Sequence, residues 1–165
     1  MQPNELITYY PSPVGVLKIK SDGQSISEIL FCEEGVPPVV ADKPDAATRA
    51  CLQQLTEYFK GKRKEFDFPM SQDGTAFQQK VWAALSQISY GEKISYLELS
   101  KRIGNTKAIR ACGTANGQNQ IAIVVPCHRV IGADGKLVGY AGGLWRKKWL
   151  LLHEAQFTTQ TNTLF

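Results

Sequence analysis

Residues 95–116 read SYLELSKRIGNTKAIRACGTAN, and this stretch decides the fold of the second half of the chain. The pattern predicts one helix over Ser95–Arg102, a turn at Gly104-Asn105, and a second, basic helix over Lys107–Asn116 that Thr106 can cap. Two short helices joined by a glycine-containing turn are typical of a helix-turn-helix. Many small helical domains share this pattern, so on its own it does not establish DNA binding.

The sequence on both sides of this stretch extends the helical half. Before it, an apolar stripe from Phe77 to Ile88 recurs at helical spacing and predicts one more helix. After it, the apolar run Ile121–Val125 is too short for a typical helix and predicts a buried extended segment. A glycine-rich loop, Gly139–Gly143, precedes a last helix over Trp145–Glu154. Three basic residues of that helix are expected to be solvated: Arg146, Lys147 and Lys148.

The first half of the chain has a different pattern. Short apolar and alternating runs between residues 6 and 31 predict strands, and a helix is expected over Asp45–Phe59. An irregular connector over residues 61–75 follows. We therefore expect an α/β domain over residues 1–70 and a mainly α-helical domain over residues 71–165. The predicted strands are Leu6–Tyr10, which Pro11 should end, Val14–Ile19, and Ile26–Phe31.

Charge and composition narrow the function. The chain has 165 residues and a net charge of +4, but residues 86–154 hold ten Lys or Arg and four Asp or Glu, a net charge of +6. A basic half indicates a polyanionic partner such as nucleic acid, with a solvated basic face as the alternative. No apolar run is long enough to span a membrane, and no secretory signal is visible. We expect a cytoplasmic protein, or a nuclear one in a eukaryote, with four free cysteines.

Cys127 is the strongest candidate for chemistry. It follows a buried run and a proline, and His128 and Arg129 lie beside it. A cysteine, a histidine and a carboxylate such as Glu154 together can activate sulfur as a nucleophile. Adjacent side chains point apart, so His128 is expected to reach Cys127 only through a water. The alternative is a buried structural cysteine. The cysteines and histidines show no spacing that predicts a metal site.

Longer motifs add a family resemblance. Pro126–Val130 reads PCHRV and Gly139–Gly143 reads GYAGG, and the chain resembles here the O6-alkylguanine-DNA alkyltransferases, or methylated-DNA–protein-cysteine methyltransferases. These DNA-repair proteins move an alkyl group from guanine to one of their own cysteines. The match is close over residues 72–154 and weak over the first 70. Further residues at the family's spacing are Phe77-Gln78, Val81-Trp82, Ser95-Tyr96, Arg110-Ala111, Gly113, Ala115, Asn119, Lys148–Leu151 and His153-Glu154.

The resemblance implies a fold and an activity. The fold would be a ribonuclease H-like α/β domain followed by a winged-helix-like DNA-binding domain. The activity would be irreversible, stoichiometric transfer of an alkyl group from O6-alkylguanine, and from O4-alkylthymine, in duplex DNA. The target base would be flipped out of the helix. No cofactor and no metal would be needed. The partner would be double-stranded DNA carrying the lesion, bound by a monomer, with cooperative binding left open.

The resemblance also implies roles for five residues at the reaction centre. Cys127 would accept the alkyl group. His128 would be the base, acting through a water, and Glu154 would orient it. Tyr96 would give a proton to the leaving guanine. Asn119 would support the turn before the active-site segment; considered alone, it would be interpreted as a helix C-cap, and both roles can hold.

The remaining implied roles concern DNA and the flipped base. Arg110 would fill the gap that the flipped base leaves, whereas without the family it would be interpreted as a phosphate contact. Lys101, Arg102 and Lys107 would supply the salt-dependent attraction to phosphates. The DNA-binding set is Ser95, Thr106, Lys107, Arg110, Ala111, Gly113 and Thr114. The base-pocket set is Asn116, Val130, Tyr140, Ala141 and Gly142.

Two other classes of function stay open from the sequence. One is a module that recognises alkylated bases without transfer, but family relatives of that kind lack the acceptor cysteine. The other is a cysteine hydrolase that uses Cys127 and His128. A hydrolase would need an oxyanion hole near the sulfur, and it would leave the basic helix unexplained.

Overall fold

A computed structural model describes residues 5–33 and 43–162, without the side chains of residues 159–162. The chain divides into two compact units. The first comprises residues 1–72 together with 120–122, and the second comprises residues 73–119 and 123–165. The short segment 120–122, which the sequence assigns to the C-terminal domain, therefore belongs to the first unit.

The first unit is a small antiparallel sheet with one helix. Its elements are β1 (Leu6–Ser12), β2 (Gly15–Ser21), β3 (Ile26–Phe31) and α1 (Ala46–Phe59). The strand order is β1-β2-β3. Leu17 and Ile19 on β2 are fully buried, as are Leu55 and Tyr58 on α1. The apolar side of the sheet and that of the helix thus share one core.

Pro11 does not end the first strand. It lies within β1, opposite Val16 on β2. β1 is an edge strand, so a residue without a backbone N–H can occupy it without removing a ladder hydrogen bond. The expectation that the strand stops at Pro11 was wrong for this reason.

The apolar run that begins at Ile121 is buried but not extended. Ile121 pairs in parallel with Ile29 of β3, and the backbone N–H of Ala122 donates to the Ile29 carbonyl at 2.9 Å. The chain then turns over residues 122–124. Ile123 has φ +72°, which is rare for a β-branched residue. The apolar pattern correctly indicates burial, but it does not reveal a change of chain direction.

The second unit is mainly helical. Its elements are α2 (Ala76–Leu85), β4 (Ile94–Ser95), α3 (Tyr96–Arg102), α4 (Ile109–Gly117), a 3₁₀ turn (Cys127–Arg129), β5 (Val130–Ile131) and α5 (Leu144–Asn162). The two short strands pair in parallel, with Ile94 beside Val130. This pairing brings the start of α3 close to the end of the 3₁₀ turn, since α3 follows β4 and the 3₁₀ turn precedes β5.

Helix α2 is capped and then tied to α4. Thr75 and Gln78 form a reciprocal capping box at its start. The indole N–H of Trp82 donates to the carbonyl of Ala115 at 2.9 Å. A Cβ on Gly74 would lie 2.6 Å from the Trp82 ring, so only glycine fits at that position. Trp82 therefore sets the distance between the two helices.

The helix-turn-helix starts where predicted but its second helix begins late. Ser95 caps α3 by accepting the N–H of Glu98 at 3.0 Å. Thr106 does not cap α4, because it lies in a turn and the N-cap is Ala108. The side chain of Asn105 accepts the N–H of Lys107 at 3.2 Å and stabilises that turn. The helix predicted from Lys107 thus begins at Ile109.

The last helix is longer than expected, and one of its lysines is buried. α5 extends from Leu144 to Asn162. Lys147 was expected to be solvated and is instead 0% exposed, on the same side as the fully buried Leu150. Among the helices in the described part of the chain, none is both long and apolar enough to cross a membrane.

Candidate active site

Cys127 lies at the start of the 3₁₀ turn, in the interior of the second unit. Cys127 is only 7% exposed, and its backbone N–H donates to the carbonyl of Val125 at 2.8 Å. Burial raises the pKa of the Cys127 thiol, while a hydrogen bond from Asn119 and the charge of Lys147 lower it in part. The thiolate therefore depends on these two neighbours.

Asn119 holds the turn that carries the cysteine. Its Nδ2 group donates to the carbonyl of Val125 at 2.8 Å and to the sulfur of Cys127 at 3.3 Å. The C-cap of α4 is Gln118, so the prediction that Asn119 also caps this helix is wrong. One amide thus contacts both the backbone and the sulfur of the Cys127 segment.

His128, Glu154 and Arg129 form a buried cluster behind Cys127. His128 Nε2 lies 2.7 Å from Glu154 Oε2, and Arg129 contacts both carboxylate oxygens, Nε to Oε1 at 2.8 Å and a terminal nitrogen to Oε2 at 3.1 Å. Burial alone would raise the pKa of Glu154, but His128 and Arg129 together hold it well below its usual value. Glu154 is therefore an ionised carboxylate with acceptor oxygens only.

The cluster determines the state of the histidine. Burial lowers the pKa of His128 below its ordinary value, although Glu154 acts in the opposite direction. In a neutral ring, Nε2 must carry the proton because it faces the Glu154 carboxylate. Nδ1 is then the acceptor, and it has no hydrogen-bond partner within residues 5–33 and 43–162. This arrangement suits a general base.

Tyr96 is the first residue of α3 and reaches the loop before Tyr140. Its hydroxyl donates to the carbonyl of Val138 at 3.4 Å. A Cβ on Gly113 would lie 3.7 Å from the Tyr96 ring, so this glycine faces the tyrosine. Burial raises the pKa of Tyr96, and negative charge on Cys127 raises it further. The phenol therefore keeps its proton at neutral pH.

The residues expected to line a base pocket differ in exposure. Val130 is fully buried, Asn116 is buried with its Nδ2 group 3.5 Å from the Cys127 carbonyl, and Gly142 is buried. Ala141 is exposed. Burial raises the pKa of Tyr140 well above its usual value, and negative charge on Cys127 adds to this. Apart from Ala141, the set lies in the interior around the cysteine or in the loop beside it.

The loop before α5 is held by a lysine. The Nζ group of Lys147 donates to the carbonyls of Val138 and Gly139 at 3.0 and 3.1 Å. Burial lowers the pKa of Lys147 to about 8, and negative charge on Cys127 raises it in part. The contact of Lys147 with the loop and the ion pair of Arg129 with Glu154 could not be predicted from local sequence. In both cases the fold brings together residues that are not neighbours in the chain.

The outer face of α4 carries an arginine. Arg110, Ala111 and Thr114 are exposed there, and no hydrogen bond or ion pair of the Arg110 side chain occurs within the described residues. Thr106 and Lys107 lie exposed in the preceding turn. These residues of the predicted DNA-binding set therefore share a solvent-facing region.

Two other residues expected to meet DNA are already engaged. Arg102 contacts Glu92 at 3.0 Å and Glu98 at 3.3 Å, so its charge is partly neutralised. The hydroxyl of Ser95 is used as the cap of α3. In the described part of the chain, no group of three or more His, Cys, Asp or Glu side chains could hold a metal ion. The four cysteines are free thiols.

Family models match both units. The model described as "6-O-methylguanine DNA methyltransferase, ribonuclease-like domain" matches residues 6–72. The model described as "6-O-methylguanine DNA methyltransferase, DNA binding domain" matches residues 76–156. The chain belongs to the 6-O-methylguanine DNA methyltransferase family.

Relatives named methylated-DNA–protein-cysteine methyltransferase are similar in sequence to nearly the whole of this chain. One from Mycobacterium bovis is 46% identical over 156 residues, which cover 93% of this chain and 94% of the relative. One from Methanosarcina acetivorans is 45% identical over 145 residues, which cover 86% of this chain and 93% of the relative.

Solved structures of the methyltransferase family share the fold. A crystal structure of Mycobacterium tuberculosis O6-methylguanine methyltransferase matches with a TM-score of 0.82 and 43% identity, covering 92% of this chain and 93% of that one. A structure from the same organism in complex with DNA matches with a TM-score of 0.83 at the same identity and coverage. The predicted fold class, a ribonuclease-like α/β domain followed by a DNA-binding domain, is confirmed.

Proposed function

We propose that this chain repairs alkylated DNA by moving an alkyl group from the O6 atom of guanine to Cys127. The observation that carries the proposal is the placement of the cysteine sulfur against Asn119, with the neutral His128 base on the same turn and its Glu154 partner on α5. Family membership supports the same reaction. A chain with this arrangement needs neither a metal nor a cofactor, since sulfur itself is the acceptor.

The reaction is a single displacement. The thiol proton passes through a water to Nδ1 of His128, and the sulfur attacks the alkyl carbon. A carbon–sulfur bond forms while the bond from that carbon to the guanine oxygen breaks. The leaving guanine takes a proton at a ring nitrogen, which the phenol of Tyr96 supplies. The product thioether is stable, so each molecule reacts once.

Access to the lesion requires the base to leave the duplex. Extrusion costs a few kcal/mol of stacking and pairing, and a side chain that occupies the gap offsets part of this cost. Arg110 is exposed at the start of α4 and suits that role, with Ala111 and Thr114 beside it allowing a close approach. Approach of α4 through the minor groove, which carries little base information, would suit a protein that meets damage in any sequence. O4-alkylthymine in duplex DNA would be accepted by the same route.

The test is mass spectrometry of the intact protein and its peptides after mixing with excess O6-methylguanine duplex. We expect one added methyl group, located on the peptide that contains Cys127. Cys127→Ser should gain none and should keep its affinity for the duplex. Cys32→Ser is the matched control in the first unit and should react as the wild type does.

Other outcomes would indicate a different acceptor or a different function. Transfer to a different residue in Cys127→Ser would remove the assignment of the acceptor. Binding of the lesion by wild-type protein without an adduct would indicate a recognition module. Repeated turnover of a hydrolysable ester at Cys127 would indicate a hydrolase. A monomeric state and a cytoplasmic or, in a eukaryote, nuclear location stay predictions from the sequence.

A further inference from the structure

Asn116 carries a buried acceptor atom that the reaction described above does not use. The residue lies on the inner face of α4 and is only 5% exposed. Its Oδ1 atom has no hydrogen-bond partner within residues 5–33 and 43–162. Because an unpaired buried acceptor costs free energy, such an atom beside a reaction centre indicates a donor that arrives with the substrate.

The surroundings of Asn116 determine which way its amide points. Its Nδ2 group lies 3.5 Å from the Cys127 carbonyl, which can only accept a hydrogen bond. Burial raises the pKa of Tyr96, and a hydrogen bond from the Asn116 amide to the phenol lowers it in part. A rotated amide would turn Oδ1 toward the Cys127 carbonyl, and the two oxygens would repel each other. Nδ2 therefore faces these groups, and Oδ1 is the atom left for a ligand.

The two contacts of Asn116 are with the residues that act on the base in the proposed transfer. The sulfur of Cys127 attacks the alkyl group on O6, and the phenol of Tyr96 protonates a ring nitrogen, N1 or N3. Both of these nitrogens flank C2, the carbon of guanine that carries the exocyclic amino group. An acceptor next to both Cys127 and Tyr96 is therefore close to the expected place of this amino group.

The candidate lesions differ in the donors that they can offer to Oδ1. Alkylation of O6 removes the N1 proton of guanine, so the exocyclic amino group holds the only N–H donors left on the base in DNA. Alkylation of O4 removes the N3 proton of thymine, and no N–H donor remains. O6-alkylhypoxanthine differs from O6-alkylguanine only in lacking the amino group, and it has no N–H donor either. An acceptor at this position can therefore pair with O6-alkylguanine and with neither of the other two lesions.

We propose that Asn116 is a specificity-determining residue: its Oδ1 atom accepts a hydrogen bond from the exocyclic amino group of O6-alkylguanine. The inference rests on the proposed transfer to Cys127. A site that pairs with a substrate N–H group discriminates against an analogue that lacks it, because the buried polar group then stays unpaired. O4-alkylthymine follows the same route more slowly for this reason.

The experiment measures second-order rate constants for methyl transfer from three duplexes. They carry O6-methylguanine, O6-methylhypoxanthine or O4-methylthymine at the same position. The wild type is compared with Asn116→Leu, which keeps a similar volume but has no acceptor, and with Asn116→Ala. Gln118→Leu is the matched control, since it replaces an amide by the same apolar side chain at the exposed C-cap of the same helix. Thermal unfolding shows that each variant is folded.

The deciding quantity is the quotient of the rate constants for O6-methylguanine and O6-methylhypoxanthine. Differences in intrinsic reactivity and base pairing between the two lesions are the same for every variant, so they cancel when quotients are compared. We expect this quotient to be about tenfold or more larger in the wild type than in Asn116→Leu. Transfer from O4-methylthymine should change little in that variant, and Gln118→Leu should keep the wild-type quotient.

A role of Asn116 in packing alone would slow transfer from all three lesions by the same factor. Equal quotients in the wild type and the folded Asn116 variants would therefore overturn the inference. If Asn116→Leu does not fold, Asn116→Ala gives the same comparison. If the wild type transfers no methyl group from any duplex, the proposed function fails. The affinities of the wild type and Asn116→Leu for the first two duplexes then decide, by the same quotient, whether Asn116 recognises the amino group.

Discussion

At the scale of the residue, the state of His128 follows from its partners. Glu154 accepts the Nε2 proton, and Arg129 keeps that carboxylate ionised. Nδ1 is left as the basic atom. Because burial lowers the pKa of His128, the folded protein holds a neutral ring that is ready to take a proton. A protonated ring would have no capacity to act as a base.

The same burial predicts how conformational stability depends on pH. An unfolded histidine has a pKa of about 6.5, and the folded pKa of His128 is lower. Below about pH 6.5 the unfolded chain binds a proton that the folded chain does not, so the free energy of unfolding falls as the pH falls. The limiting slope for one proton is about 1.4 kcal/mol per pH unit. Urea unfolding at pH 7.5 and 5.5 measures this change in the free energy of unfolding.

The comparison variant for this measurement is His128→Gln, which removes the titrating ring but keeps a polar side chain. Its free energy of unfolding should be lower at pH 7.5 and should change less between pH 7.5 and 5.5 than that of the wild type. Equal slopes for the two proteins would show that another group causes the pH dependence.

The placement of residues in a short local motif was easier to predict than contacts that depend on the fold. Cys127 and His128 are adjacent in a short motif, and the family resemblance pointed to Glu154. Lys147 lies between two basic residues at the start of a helix, so the sequence suggests a solvated side chain. Only the loop carbonyls of Val138 and Gly139, which the fold brings to it, explain its burial.

At the scale of the element, the two faces of α4 have different surroundings. Its inner face is tied to α2 through the Trp82 bond to Ala115, and it carries the buried Asn116 next to Cys127. Its outer face presents Arg110 and Thr114 to solvent. The helix can therefore approach DNA while its other side supports the reaction centre.

Arg110 provides the test at this scale. Arg110→Ala should slow repair in duplex DNA more than it slows reaction with the free base O6-methylguanine, because only the duplex must be opened. Single-turnover rates on both substrates give the ratio. Lys136→Ala, which removes a charge from an exposed turn, is the control for a general electrostatic effect. Equal losses on both substrates would remove the gap-filling role.

The elements themselves were predictable, but their ends were less so. The strands and α1 followed from apolar spacing, and the helix-turn-helix followed from the Ser95 cap and the turn at Gly104-Asn105. The end of β1 was missed because an edge strand accepts Pro11, and the start of α4 was missed because Asn105 stabilises a longer turn. The run that begins at Ile121 was correctly predicted to be buried, but an apolar pattern does not show where the chain turns.

At the scale of the whole molecule, the predicted reaction centre lies within one of the two units. Every residue of the predicted reaction centre lies in the second unit, which comprises residues 73–119 and 123–165. The chain leaves that unit after Asn119 and re-enters it at Ile123, shortly before Cys127. A change at the sulfur therefore acts on the stability of the unit that also carries α4.

Alkylation of Cys127 should destabilise this unit. Cys127 is nearly buried, and an added methylene-sized group in a packed interior costs about 1–3 kcal/mol. The reaction also converts the sulfur that accepts a hydrogen bond from Asn119 into a bulkier thioether. For a chain of this size, about 1 kcal/mol lowers the melting temperature by about 2–4 °C. Thermal unfolding is measured before and after complete methylation, once the DNA has been removed.

The chain offers a specific probe for that measurement. Its three tryptophans are Trp82, Trp145 and Trp149, and all lie in the second unit, so tryptophan fluorescence follows the unit that contains the modified sulfur. Cys127→Ser treated with the same DNA should show no shift, which separates methylation from exposure to DNA. A methylated protein with an equal or higher melting temperature would mean that the site has room for the methyl group. The neutral thioether would then cost no packing energy, and the interior around Cys127 would have to be looser than its burial indicates.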